Sequence, residues 1–309
     1  MSTPIILDCD PGHDDAVALL LALASSELSV LGVTVTHGNV ELERTLANTL
    51  ALREFAGSDV PVYGGAARPL VRAPLTATHV HGASGVGNVV LPRPTRGAER
   101  ERAAEFIVRT ALERPGEVTL VAIGPLTNVA LALRLEPRLA AFLKGIVFMG
   151  GSLSHGNTTP AAEFNFHADP HAARIVLESG ARITMFGLDA TRQVPITRAH
   201  VERFERAASP SAKLCGALLD DALSRLEARG RSVGALHDPC TVAFLVDPGL
   251  FETRELFVSV DVSEGDNFGR STADFTSATS QTPNVRAAVT ARADEFYDLL
   301  FERLSNFPA

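Results

Sequence analysis

The chain has 309 residues, with 28 Lys and Arg against 36 Asp and Glu, a formal net charge of −8. At 46% hydrophobic and 21% charged it has the composition of a folded globular protein, and its length can bury a sizeable core. An acidic chain without a basic run excludes a general binder of nucleic-acid polymers, and its longest apolar run, residues 16–24, is too short to span a membrane.

Strand-length apolar runs alternate with helical patterns from the start. Residues 5–7 read as a strand, 14–24 as a helix, 28–36 as a strand and 41–55 as a helix. Residues 68–94 are rich in Gly, Pro and His and too long for a plain connector, so they are expected to form a lid or binding loop. The alternation resumes with strands at 118–123, 145–149 and 183–186 and helices at 128–135 and 171–179. Residues 198–226 read as a helical cap, followed by strands at 256–262 and 285–290 and a closing helix at 293–304. Short, nearly continuous apolar strands predict an α/β fold: an open, mostly parallel, Rossmann-like sheet with helices on both faces. No composition break divides residues 1–309, and one domain is expected.

Cys9, Cys215 and Cys240 are too scattered for a disulfide framework and read as small buried hydrophobes in a reducing compartment. The opening MSTPIILDCD has no basic stretch leading an apolar one, so a cytoplasmic protein without a secretory signal is expected.

In open α/β sheets ligands gather at the carboxyl ends of the strands. There the sequence places Asp8 and Asp10, Asn39, Thr127 and Asn128, Met149 to Gly151, and Asp189. Asp8, Asp10, Asp14 and Asp15 put four carboxylates within eight residues, around a Pro11-Gly12 turn. So many acids repel one another unless protons or a cation neutralise them, and oxygen-only ligands favour a hard ion, Ca²⁺ or Mg²⁺. A plainer role for Asp14 and Asp15 is to cap the helix that they begin.

The segment from Asp8 to Asp15 resembles the N-terminal signature of the nucleoside hydrolases, the inosine-uridine preferring family that splits ribonucleosides into ribose and free base. Three further segments match in family order: Gly124-Pro-Leu-Thr-Asn128, Asn157 to Asn165, and His237-Asp238-Pro239. The resemblance implies Ca²⁺ held by Asp10, Asp15, the Thr127 carbonyl and Asp238, with Asp10 activating the attacking water. It places Asp14, Asn157, Glu163 and Asn165 on the ribose hydroxyls, with the Met149 main chain nearby and Asn39 beside the metal. It also implies a homo-oligomer, dimer or tetramer.

On the base side His237 is expected to act as a donor to the departing base or to orient its loop, and His81 matches the family's loop histidine. Phe164 packs either on the substrate or in the core. The segment 224–236 departs from the pyrimidine-preferring pattern: it holds Arg225, Arg229 and Arg231 but neither Tyr nor Gln. Those arginines form either a solvated helix end or a contact to the base, and the sequence leaves purine or pyrimidine preference open.

Asp8 and Asp10 after an apolar strand are also similar to the haloacid-dehalogenase phosphatases, although Pro11-Gly12 breaks that pattern and the stretch from Asn157 to Asn165 has no use there. A non-catalytic nucleoside or ribose sensor is the other alternative.

Overall fold

The computed structural model describes residues 2–231 and 233–307, so Ser232, inside the arginine-bearing segment, lies outside the described residues. Its strands in chain order are β1 (Thr3–Cys9), β2 (Leu28–Val35), β3 (Val62–Gly64), β4 (Thr119–Ala122), β5 (Gly145–Met149) and β6 (Ile183–Phe186). They are followed by β7 (Pro195–Ile196), β8 (Gly234–Ala235), β9 (Phe251–Val260), β10 (Ser271–Asp274) and β11 (Val285–Ala291). Nine of these form one sheet in the order β10-β9-β11-β6-β5-β4-β1-β2-β3, and β7 pairs with β8 apart from it. Within the nine-stranded sheet all pairings from β3 across to β11 are parallel and those made by β9 are antiparallel, as is the separate β7–β8 pair.

Both faces of the sheet are covered, and β1 shows how. Ile5 and Leu7 enter one apolar cluster and Ile6 the other, as alternation along a strand requires. The first cluster is built with helices His13–Ala24, Pro210–Glu227, Pro239–Val246 and Ala293–Asn306. The second is built with Ala103–Glu113, Thr127–Leu135 and Pro170–Leu177. This is the expected α/β architecture, with crossover helices forming the outer layers.

Chain order reverses at β1, which pairs with β2 on one side and with β4 on the other. A crevice opens at such a switch point because the two connections leave in opposite directions, and ligands bind outside the carboxyl ends there.

Local differences from the sequence reading have plain causes. Strand β3 is only three residues long, too short to show a period. The expected cap helix is two helices, Arg198–Glu205 and Pro210–Glu227, because Pro210 holds Ser209 extended and then opens the second helix at its first turn. The helix Pro239–Val246 also opens on a proline, although Asp238 before it is already helical. The late strand begins at Phe251 instead of residue 256. The 68–94 segment contains one short helix, Thr78–His81, and is tied to the body by Asn48, whose Nδ2 donates to the Ser84 carbonyl (2.8 Å) and the Pro11 carbonyl (3.1 Å). No helix among the described residues is long and apolar enough to cross a membrane.

Candidate active site

The turn after β1 is built by its own carboxylates. Asp15 closes it by accepting from the main-chain N–H of Asp10 (2.9 Å) and of Gly12 (3.0 Å). Asn39, arriving after β2, donates from its main chain to Asp10 Oδ2 (2.6 Å) and from its side chain to the Asp10 carbonyl (3.1 Å) and Asp15 Oδ2 (2.9 Å). Asp10 Oδ1 is buried and has no hydrogen-bond partner. Two glycines make room for this carboxylate: a Cβ at Gly124 would overlap Oδ1 and one at Gly38 would overlap Oδ2. Asp8 lies behind this turn, accepting from Thr34 Oγ1 and Asn128 Nδ2 (2.8 Å), and burial pushes its carboxyl up to about 7.

Asp238, delivered by the loop before Pro239–Val246, joins from the far end of the chain. One oxygen from each of Asp14, Asp15 and Asp238 lies within 4.8 Å of the others, a spacing that a single cation could bridge. Burial first, then the neighbouring carboxylates, raises Asp10, Asp14 and Asp238 above the ordinary carboxylate range. Burial raises Asp15 too, against the pull of the Gly12 and Asp10 N–H groups. Thr127 uses its hydroxyl within the fold: it donates to Asp169 Oδ2 (2.8 Å) and stands 3.2 Å from His37 Nε2.

The residues expected on the sugar divide. Asn165 donates to the carbonyls of Ile123 (2.9 Å) and Met149 (3.0 Å), so its amide spans the ends of β4 and β5, and its Oδ1 takes no protein donor among the described residues. Glu163 accepts from the main-chain N–H groups of Gly151 (2.8 Å), Asn165 (2.9 Å) and Phe166 (3.0 Å), which makes it the N-cap of helix Phe164–Ala168. Burial pushes its carboxyl up to about 7 against those donors. Phe164, half-buried, starts the same helix. Asn157 stands on an exposed loop, where its side chain accepts only from Thr158 Oγ1 (3.3 Å) among the described residues. Arg192 holds that loop through the carbonyls of His155 (3.2 Å) and Gly156 (2.7 Å).

On the remaining side, His237 Nδ1 sits 2.7 Å from Thr191 Oγ1, and burial lowers the imidazole despite the nearby Asp14. His81 lies over the turn: a Cβ at Gly12 would come 2.6 Å from His81 Nδ1. Burial, helped by His13 and His237, keeps it well below the usual histidine range. Of the three arginines in the departing segment, Arg229 and Arg231 are solvated, whereas Arg225 is bound to Asp221. Sequence reasoning missed Asp221, Asp169 and any role for His13. Only Asp169 carries a local signal, an Asp-Pro helix start.

Attack of water on a glycosidic bond needs a carboxylate free to take a proton and polar groups for the sugar, and the carboxylates and amides gathered at this crevice suit a hydrolase acting on N-glycosyl compounds. The chain belongs to the inosine-uridine preferring nucleoside hydrolase family, whose profile matches residues 5–298. It is 45% identical to the pyrimidine-specific ribonucleoside hydrolase RihA of Salmonella arizonae over 98% of this chain and 99% of that one. Among solved structures it is similar to a plant nucleoside hydrolase (TM-score 0.94, 34% identity, 99% of this chain and 100% of that one). It is also similar to the purine-preferring ribonucleoside hydrolase of Gardnerella vaginalis (TM-score 0.91, 34% identity, 98% of both chains). The protein is thus a ribonucleoside hydrolase, and the phosphatase and sensor alternatives fall away.

Proposed function

We propose that the enzyme hydrolyses pyrimidine ribonucleosides in preference to purine ones and holds Ca²⁺ on Asp10, Asp15, the Thr127 carbonyl and Asp238, with Asp14 beside it. The observation carrying this reading is the acid cluster itself: oxygens of Asp14, Asp15 and Asp238 within 4.8 Å, next to an Asp10 Oδ1 buried without a partner. Such an arrangement is costly to a fold on its own and fits a hard divalent ion. When bound, the ion would neutralise the cluster and polarise the nucleophile.

The chain's own groups then divide the work. Asp10, gripped at Oδ2 by Asn39, keeps Oδ1 to take a proton from the attacking water. Asn165, with its amide nitrogen committed to two carbonyls, presents Oδ1 as an acceptor for a ribose hydroxyl, and Asp14, Glu163 and Asn157 complete the clamp. Positive charge develops on the ribose as the bond breaks, so carboxylates near the sugar stabilise the transition state more than the substrate. His237, anchored by Thr191, and His81 serve the departing base. Similarity to the pyrimidine-specific relative over nearly the full length supports the base preference.

A kcat/KM panel over uridine, cytidine, inosine, adenosine and the 2′-deoxy forms tests this. Uridine and cytidine are expected to lead, and the deoxy forms to fall by at least about 10²-fold, because they leave clamp groups unpaired. Purines turning over faster would reverse the preference, and equal rates on ribo and deoxy substrates would remove the clamp.

A further inference from the structure

A second polar chain, separate from the acid cluster, runs into the crevice from the long helix Pro210–Glu227. Its origin is Asp221, a buried carboxylate that accepts from four donors drawn from three segments. They are His13 Nε2 (2.9 Å) at the start of the first helix, Arg225 Nε (2.5 Å) one turn along its own helix, and the main-chain N–H (3.0 Å) and side-chain amide (2.9 Å) of Asn88. The main chain of the 68–94 segment closes tightly on this group. Gly87, at φ 62°, has no room for a Cβ, which would overlap the Asp221 carboxylate, and a Cβ at Gly82, at φ 74°, would meet Arg225 Nη2 at 3.1 Å.

The chain continues from His13 to His81. The His13 main-chain N–H donates to His81 Nδ1 (3.3 Å), the two Nδ1 atoms stand 3.1 Å apart, and the rings stack with centroids at 5.2 Å. Because Nδ1 accepts the main-chain N–H, a neutral His81 carries its proton on Nε2, which has no partner among the described residues. That leaves one ring donor, held over the catalytic turn, for a group outside the protein.

We propose that Asp221 is a positioning residue for departure of the base: it anchors the His13 ring, and the stacked His13 ring and the His13 main-chain N–H hold the ring of His81 so that Nε2–H can hydrogen-bond to the base as negative charge develops on it. The proposal rests on the reading of the site given above. Orientation is what the device supplies, since a donor held in place spends no ordering entropy at the moment of reaction. It also explains Arg225, whose guanidinium holds Asp221 instead of touching the substrate.

The test compares the wild type with Asp221→Ala, Asp221→Asn, His81→Ala and the double variant Asp221→Ala/His81→Ala on two kinds of riboside. Uridine and inosine carry bases that leave with difficulty, whereas p-nitrophenyl β-D-ribofuranoside carries a phenolate that leaves unaided. Asp221→Ala should lose roughly 10²-fold in kcat on the nucleosides, with KM nearly unchanged, and stay within about threefold of wild type on the p-nitrophenyl riboside. Asp221→Asn, which keeps an acceptor for His13, should recover part of the loss, and Asp221→Ala should add nothing to His81→Ala. Equal losses on both kinds of substrate, full nucleoside turnover in Asp221→Ala, or additive effects in the double variant would overturn the proposal. If Asp221→Ala does not fold, Asp221→Asn and His13→Gln carry the same comparison. A wild type that hydrolyses the p-nitrophenyl riboside but no nucleoside would instead defeat the functional reading, and this proposal with it.

Discussion

The reactivity proposed for Asp10 would come from its neighbours. Oδ2 accepts the Asn39 N–H in a space that Gly38 leaves open, and Oδ1 sits in a gap that Gly124 leaves open. Without a cation, burial and the adjacent Asp15 make its charged form costly. Asp10→Ala is expected to lose at least about 10²-fold in kcat, measured as ribose release, with an unchanged circular dichroism spectrum. Near-wild-type turnover would remove Asp10 from the chemistry. This residue was legible in the sequence because its partners lie within one turn of chain. Asp221 was not, because the histidine that it holds is 208 positions away.

At the scale of elements, short helices are held in place by carboxylate caps. Glu163 caps the five-residue helix Phe164–Ala168 and ties it to Gly151 just after β5, while Asp169 caps Pro170–Leu177 by accepting from the Ala172 N–H (3.0 Å). Neither helix is long enough to persist alone, so both depend on these caps and on packing. The Glu163 carboxyl is shifted from 4.5 to about 7 by burial, so the fold favours its neutral form. Its contribution to stability is therefore complete below about pH 4.5 and lost as pH rises through about 7. Glu163→Gln is neutral at every pH. The Tm of metal-free wild type should consequently fall relative to that of the variant between about pH 5 and 8, and a difference independent of pH would contradict the assignment. The Asp-Pro start before the second helix could be read from sequence; the reach of Glu163 to Gly151 could not.

Across the whole molecule, four segments far apart in the chain deliver carboxylates, amides and imidazoles to one crevice because the sheet reverses its order at β1. The resulting acid cluster couples stability to protons and, on the function proposed above, to a cation. Asp8 is pushed up to about 7, and Asp10 and Asp238 well above their usual range, so the metal-free fold is most stable when they are protonated and weakens as pH rises through the shifted values. A bound cation would replace those protons. The Tm gain on adding Ca²⁺ should be larger at about pH 8 than at about pH 5, and chelation should abolish turnover. An equal gain at both pH values would mean that the acids ionise without the ion.

The α/β alternation, the strand ends that would carry polar groups, and the four segments of the family can all be read from the residues alone. Those features are local: apolar runs report burial, Pro-Gly reports a turn, and clustered carboxylates report a neutralising partner. Folding in three dimensions is what brings Asp14, Asp15 and Asp238 to one point, sets Arg225 on Asp221, and places His13 between Asp221 and His81. Each of these joins residues brought together by crossovers and packing, and hydrogen bonds between distant segments leave no period or spacing in the chain to be read.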